Sequence, residues 1–142
     1  MKSRDTLIRL RKFQVDEKRR RTVQIETMIA EFDRMTVELD REVKAEQDRA
    51  GIQDPGHFAY PTYAKAANQR RENLKRSVED LRLQLDDAKA ALAEAFEELK
   101  KVELLDERDQ ARDRAEAAEA SAREQMDIEA IGIMRLRNVV RV

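Results

Sequence analysis

The chain has 142 residues, of which 42% are charged and 4% aromatic, with no tryptophan, no cysteine, three glycines and two prolines. So few large apolar side chains exclude a thick globular core and suit a thin one, in which each helix buries a narrow stripe. The formal net charge of -1 gives no bulk electrostatic support for a nucleic-acid-binding protein.

The sequence pattern also predicts neither a membrane span nor a signal peptide. No run approaches the roughly 18 consecutive apolar residues of a membrane span. The first five residues lack the apolar core of a signal peptide. The lack of cysteine fits a cytosolic protein.

A first helix is predicted from about residue 4 to residue 50. Apolar and threonine side chains recur there at alternating spacings of four and three, the pattern of a coiled-coil seam. The seam comprises Ile8, Val15, Thr22, Ile25, Ile29, Phe32, Thr36, Leu39, Val43 and Ala50. Three charged residues interrupt it, at Arg11, Lys18 and Glu46. Leu7, Leu10 and Phe13 lie off the seam, so we expect them to point away from the partner helix.

A turn is predicted over residues 51–61, which hold both prolines and two of the three glycines. In Asp54-Pro55-Gly56, the proline fixes φ, the glycine permits a positive φ, and the aspartate side chain accepts a hydrogen bond from the backbone ahead. A single break between two long helical runs predicts a helical hairpin.

Four ring side chains lie in or beside this turn. Phe58, Tyr60 and Tyr63 either close the end of the coiled coil or form a binding tip, and the sequence leaves both possibilities open. His57 is the single histidine, and a lone histidine in a turn more often faces solvent or packs locally than serves as a base or a ligand.

A second, longer helix is predicted from about residue 62 to residue 130. Its seam comprises Ala67, Leu74, Val78, Leu81, Leu85, Ala88, Leu92, Ala95, Leu99 and Val102, with Arg71 as a polar exception. The next positions are the aspartates 106, 109 and 113, so we expect the register to fail after Val102. An alanine stripe continues in a shifted phase, at Ala111, Ala115, Ala118 and Ala122. Propensity and charge pairs are expected to hold this part of the helix.

Counting from the turn aligns the two seams. Leu39 then lies opposite about Leu74, and Ile25 opposite about Ala88. The predicted fold is all-α: an antiparallel two-helix coiled-coil hairpin that forms one domain over residues 1–142. We expect a monomeric rod.

The predicted tail, residues 131–142, is flexible or bound by a partner, and Gly132 is expected to interrupt the helix. Exposed apolar side chains usually indicate a partner or disorder. The candidate binding residues of this part of the chain are Ile128, Ile131, Met134 and Leu136.

The first 21 residues carry nine lysines and arginines against three acids. This basic face is either simply solvated or docks into an acidic partner. The sequence contains no catalytic constellation, no glycine-rich phosphate loop and no cysteine or histidine set that could ligate a metal. We therefore expect no enzyme activity, cofactor or metal, and a function in protein contacts.

Three features together resemble the FliJ/YscO-type family of type III export stalk proteins. The first is a basic amphipathic start, Leu7-Ile8-Arg9-Leu10-Arg11-Lys12. The second is a mid-chain break followed by the aromatic helix start Tyr60-Pro61-Thr62-Tyr63. The third is the run from Phe96 to Arg108, an aromatic, basic, leucine-spaced stretch that ends in Glu-Arg. The resemblance covers roughly residues 5–130.

The resemblance implies a cytoplasmic coiled coil of the flagellar export apparatus, peripherally associated with its membrane-embedded part. Such proteins enter the ring of the hexameric export ATPase FliI, promote its assembly and activity, touch the export gate FlhA and escort export chaperones. Carried over, the ATPase-binding residues are Arg9, Arg11, Lys12, Lys18 and Arg108. The gate-binding residues are Tyr63, Arg70 and Leu74, although alanines at 64, 66 and 67 stand where the family tends to carry larger apolar groups.

Other functions stay open at this point. A structural coiled-coil scaffold or adaptor without an ATPase partner is the main alternative, and a dimer in solution would favour it. A nucleic-acid-binding coiled coil is disfavoured by the net charge and by the lack of aromatics beside Arg19-Arg20-Arg21.

Overall fold

The computed structural model describes residues 2–140. Two helices account for most of them: α1 runs over Lys2–Ala50 (49 residues) and α2 over Thr62–Val140 (79 residues). No strand occurs in this part of the chain. The prediction of an all-helical chain with two packed helices, the second longer, is confirmed. Across residues 2–140, neither helix has a stretch long and apolar enough to cross a membrane.

The end of α1 is set by Gly51, whose φ is +68°. The Ile52 amide donates to the carbonyl of Gln47 at 3.2 Å, the closing hydrogen bond of a Schellman cap. The positive φ that a glycine permits is not used at Gly56. Asp54 to His57 instead forms a turn closed by a 3.0 Å backbone hydrogen bond, with φ of the intervening glycine in the ordinary range.

The Asp54 side chain does what the turn motif predicts. Its Oδ1 accepts a hydrogen bond from the Gly56 amide at 2.9 Å. Pro61 directly precedes α2, and its carbonyl accepts from the Lys65 amide at 3.0 Å. The residues that reverse the chain therefore provide hydrogen-bond partners for some of the backbone amides and carbonyls of the turn and of the start of α2.

The chain divides into two compact units. One consists of Arg9–Glu98 and is called the 9–98 unit; the other consists of residues 2–8 with residues 99–140 and is called the terminal unit. Both helices contribute residues to each unit.

In the 9–98 unit most of the core lies at predicted seam positions, and Tyr60 and Ala64 are buried in addition to them. A buried cluster beside the turn contains Leu39, Val43, Tyr60, Ala64 and Ala67. Further along the helices, Val15, Thr22, Ile25, Val78 and Leu81 are also buried. Ala50 is an exception, since this predicted seam residue is exposed.

Polar contacts between the helices of this unit show their register. Tyr63 donates to Glu42 at 2.7 Å, and Arg71 donates to Asp40 at 2.7 Å. The contact nearer the start of α1 thus lies further along α2, as it does when two helices run in opposite directions.

In the terminal unit the seam changes from apolar to ionic. Leu99 and Val102 are buried, and the aspartates 106, 109 and 113 that follow in register are half-buried. Arg4 contacts Asp106 at 3.4 Å and Asp109 at 2.7 Å. The register therefore does not end at Val102, because a guanidinium from α1 compensates two of the carboxylates. The alanine stripe is fully on the surface.

The end of α2 also differs from the prediction. The helix continues through Gly132 to Val140, ten residues beyond its predicted end. A glycine lowers helix stability by about 1 kcal/mol relative to alanine, which its helix-forming neighbours can offset. Residues 141 and 142, the last two of the predicted tail, lie outside the described residues.

Candidate functional site

The outward face of α1 in the 9–98 unit combines positive charge with an exposed aromatic ring. Arg9, Lys12 and Arg20 are exposed. Phe13 lies among them with 54% of its surface exposed. Successive spacings of three, one and seven place these side chains on one side of the helix. The prediction that Leu10 and Phe13 point away from the partner helix is confirmed, since both are exposed.

Arg11 occupies a different position, at the junction of the two helices. It is half-buried, and its Nη1 donates to Gln14 Oε1 at 3.1 Å. Its Nε is buried with no acceptor in reach among the described residues. Arg11 and Lys18 line an open groove of about 350 Å³ together with Glu94 and Glu98 of α2. Acids of α2 thus lie beside two of the predicted binding residues.

Arg19 is engaged by a contact that the sequence reasoning missed. Its guanidinium carbon lies 5.5 Å from the centre of the Phe96 ring, a cation–π distance, and Nη1 lies 3.9 Å from Asp16 Oδ1. The seam alignment carried a signal for this contact, because counting from the turn places Arg19 near Phe96. Arg21 lines a groove together with Ala88 of α2, so Arg20 is the one of the three consecutive arginines that is left on the outward face.

The gate-binding residues predicted from the resemblance have unlike surroundings. Tyr63 is 55% exposed, and Arg70 is exposed one heptad later. Leu74 is half-buried and packs against the core cluster beside the turn. The structure therefore brings Tyr63 and Arg70 to the surface and uses Leu74 for packing.

The hydroxyl of Tyr63 is tied to Glu42. The hydrogen bond to Glu42 raises the pKa of Tyr63 above its ordinary value of 10.0, and the negative charge of Glu42 raises this pKa further. A deprotonated phenol could neither donate to the carboxylate nor avoid its charge. The neutral phenol is therefore the form that fits this site.

The aromatic cluster was predicted either to close the end of the coiled coil or to form a binding tip, and its members differ in burial. Tyr60 is buried, and its hydroxyl accepts hydrogen bonds from Gln47 Nε2 and Asn68 Nδ2, each at 2.9 Å. Phe58 is 96% exposed and stacks on His57 with a centroid distance of 4.7 Å. His57 Nδ1 accepts from the Ala59 amide at 3.0 Å, so the histidine serves the turn locally.

The remaining predicted site residues belong to the terminal unit. Arg108 is exposed there. The four candidate residues of the apolar end of α2 are also exposed, each by more than half of its surface: Ile128, Ile131, Met134 and Leu136. No described residue packs against them closely enough to bury them.

Within the described residues, no group of three or more acidic or histidine side chains is placed to hold a metal ion. Comparisons with protein-family models, curated protein sequences and solved structures found no match.

Proposed function

We propose that this chain is a cytoplasmic component of the flagellar type III protein export apparatus. In this proposal it docks in the ring of the export ATPase FliI, promotes assembly and activity of the ring, and links it to the export gate FlhA and to export chaperones. The chain itself performs no catalysis. Its proposed fold is an antiparallel coiled-coil hairpin, which the buried seam positions and the opposite numbering of the paired residues support.

The observation that carries the proposal is the exposed basic face of α1. Arg9, Lys12 and Arg20 are exposed, and Phe13 adds an apolar anchor among them. Such a face favours an acidic partner that also offers a shallow apolar contact. Exposed charge pairs contribute about 0–1 kcal/mol each and weaken with salt. A ring can therefore hold such a helix without locking it to one subunit.

The proposal is tested by ATP hydrolysis of purified FliI with and without this protein, at several salt concentrations. The informative variant is Arg9→Glu with Lys12→Glu, because both side chains are exposed and their replacement leaves helix packing intact. We expect stimulation by the unaltered chain that falls with salt, and its loss in this variant.

A matched control is Arg82→Glu with Lys89→Glu, which makes the same change of charge at exposed positions of α2. This control should stimulate FliI normally, and circular dichroism should show equal helix content in both variants. Normal stimulation by the Arg9/Lys12 variant would exclude this face as the ATPase contact.

The alternative is a coiled-coil scaffold or adaptor with no ATPase partner. The observation that favours it is the exposed apolar end of α2, which offers a contact surface independent of the basic face. No stimulation of FliI at low salt by the folded, helical protein would favour this alternative.

A further inference from the structure

One side of the packed helices in the 9–98 unit carries no charge at its centre. Along α1 it presents Met28 and Met35, which are seven residues apart, and along α2 it presents Ser77 and Gln84 at the same spacing. Met28 is 40% exposed and Gln84 is exposed, whereas Met35 and Ser77 are half-buried. We call these four residues the methionine face.

Contacts at both ends show that the two helices present these residues on the same side. Seven residues before the first methionine, Arg21 lines an open groove of about 310 Å³ together with Gln84 of α2. Seven residues after the second methionine, Glu42 accepts the hydrogen bond of Tyr63, which lies fourteen residues before the serine of the face. Residues seven apart lie on nearly the same side of a helix. The methionine face therefore lies between these two contacts.

Acidic side chains border the methionine face on both helices. One acid follows each residue of the face by three positions, and all four acids are exposed: Glu31, Glu38, Asp80 and Asp87. The residues four positions after the face lie toward the core, where Leu39 and Leu81 are buried. In a helix, the third and fourth residues after a given position lie on opposite sides of it. The four acids therefore line the outer edges of the face.

Most of this negative charge is uncompensated. Glu31 lies 3.5 Å from Arg34, but Glu38, Asp80 and Asp87 form no ion pair with any described residue. Arginines stand seven residues before the face on each helix, at positions 21 and 70, and so lie beyond its ends. The edges of the face itself are acidic on both helices.

We propose that the methionine face docks a basic amphipathic α-helix of a partner protein. The apolar stripe of that helix lies over Met28 and Met35, and lysines or arginines on both sides of the stripe meet the acidic edges. Methionine side chains are flexible and polarisable, so they fit an apolar stripe of irregular shape. The face and its edges cover residues 28–38 of α1, which corresponds to about three helical turns of the docked helix.

Charge selects this occupant over others. The acidic edges repel nucleic acid and anionic membranes, since both present phosphate groups. Two copies of this chain packed face to face would set the same acids against each other. A helix with cations on both sides of its apolar stripe compensates both edges at once.

This inference does not depend on the proposed function. Arg9 and Lys12, which carry the proposed ATPase contact, are not part of the methionine face. Stimulation of FliI and binding of a basic helix are separate measurements, so either can fail without the other.

The first test is binding of a labelled peptide of about 18 residues, or five helical turns, measured by fluorescence anisotropy. The peptide carries leucines along one side of the helix and lysines on both sides of the leucines. A second peptide has glutamate in place of each lysine. We expect the lysine peptide to bind, more weakly as salt rises, and the glutamate peptide not to bind. No binding of the lysine peptide at low salt would overturn the proposal.

The informative variant is Asp80→Lys with Asp87→Lys, which should weaken binding of the lysine peptide by about tenfold or more, because attraction becomes repulsion at two positions. Glu79→Lys with Asp86→Lys is the matched control. It makes the same change of charge at exposed residues that point away from the face. We expect this control to bind within about threefold of the unaltered chain. Equal weakening in both variants, with equal helix content by circular dichroism, would show attraction to net charge alone and overturn the proposal.

The second test locates the peptide through methionine methyl groups labelled with ¹³C. We expect the NMR signals of Met28 and Met35 to shift on binding. Met126 and Met134 are the internal controls, because both are exposed by more than half of their surface on the apolar end of α2. Shifts confined to these two methionines, or equal in all four, would overturn the proposal.

Sedimentation velocity of the chain alone tests a second copy as the occupant. We expect the unaltered chain and the Asp80/Asp87 variant to show the same monomeric state. A dimer that is lost in this variant would assign the face to a second copy and overturn the proposal.

Discussion

Tyr60 and Tyr63 are three residues apart but have different roles. Tyr60 is buried among the core residues beside the turn, and two amide groups donate to its hydroxyl. Tyr63 is exposed and donates its own hydrogen bond to Glu42. The surroundings rather than the residue type therefore decide whether the hydroxyl accepts or donates.

We expect Glu42→Gln to lower the pKa of Tyr63 toward its ordinary value of 10.0, because the carboxylate is the largest cause of its elevation. A raised folded-state pKa gives stability that is complete below the unfolded-state value of about 10 and is lost as pH rises through the folded value. The tyrosine Cζ chemical shift, followed by NMR against pH, measures this. Glu31→Gln is the control, and an unchanged Tyr63 titration in Glu42→Gln would contradict the assignment.

The glycines of the chain act differently according to the element that contains them. Gly51 ends α1 in the left-handed region, whereas Gly132 lies inside α2. A Cβ added at either position meets nothing within 4 Å. Backbone conformation alone therefore distinguishes them.

We expect Gly51→Ala to destabilise the fold by about 1 kcal/mol, because an L-residue is strained at this φ. Gly132→Ala should stabilise the helix locally by up to about 1 kcal/mol, since the backbone there is already helical. Helix content should therefore rise. Urea unfolding measures the first effect and circular dichroism the second. Equal effects of the two substitutions would contradict the assigned role of Gly51.

Burial is distributed unevenly along the chain. The core of the 9–98 unit contains residues of both helices, among them Val15 and Ile25 of α1 and Val78 and Leu81 of α2. In the terminal unit every side chain from residue 114 to residue 140 is exposed. Helix stability in this second region comes from propensity and from local pairs such as Glu119 with Arg123 at 3.5 Å.

Hydrogen exchange should therefore separate the two regions. In dilute protein, we expect amides of residues 114–140 to exchange faster than those of residues 64–81 by on the order of a hundredfold or more, because only the latter are packed. Mass spectrometry of exchanged peptides measures the difference. Equal protection of both regions would contradict the prediction.

The amino-acid sequence by itself determined the two helices, the turn between them and most of the buried positions. The physical reason is that these features are local or periodic. Prolines and glycines interrupt helices where they occur, and a spacing of four and three places side chains such as Ile25 and Leu81 on a single face. Most of the predicted seam residues in the 9–98 unit are accordingly buried or half-buried.

Only the tertiary structure decided which polar side chains are engaged across the helices. The half-burial of Asp106 depends on Arg4, which lies about a hundred residues away in the chain. The engagement of Arg19 depends on Phe96 in the other helix, and the division between Tyr60 and Phe58 depends on how the turn closes. Charge pairing and ring contacts require a partner from the other helix, and periodicity within one helix does not specify that partner.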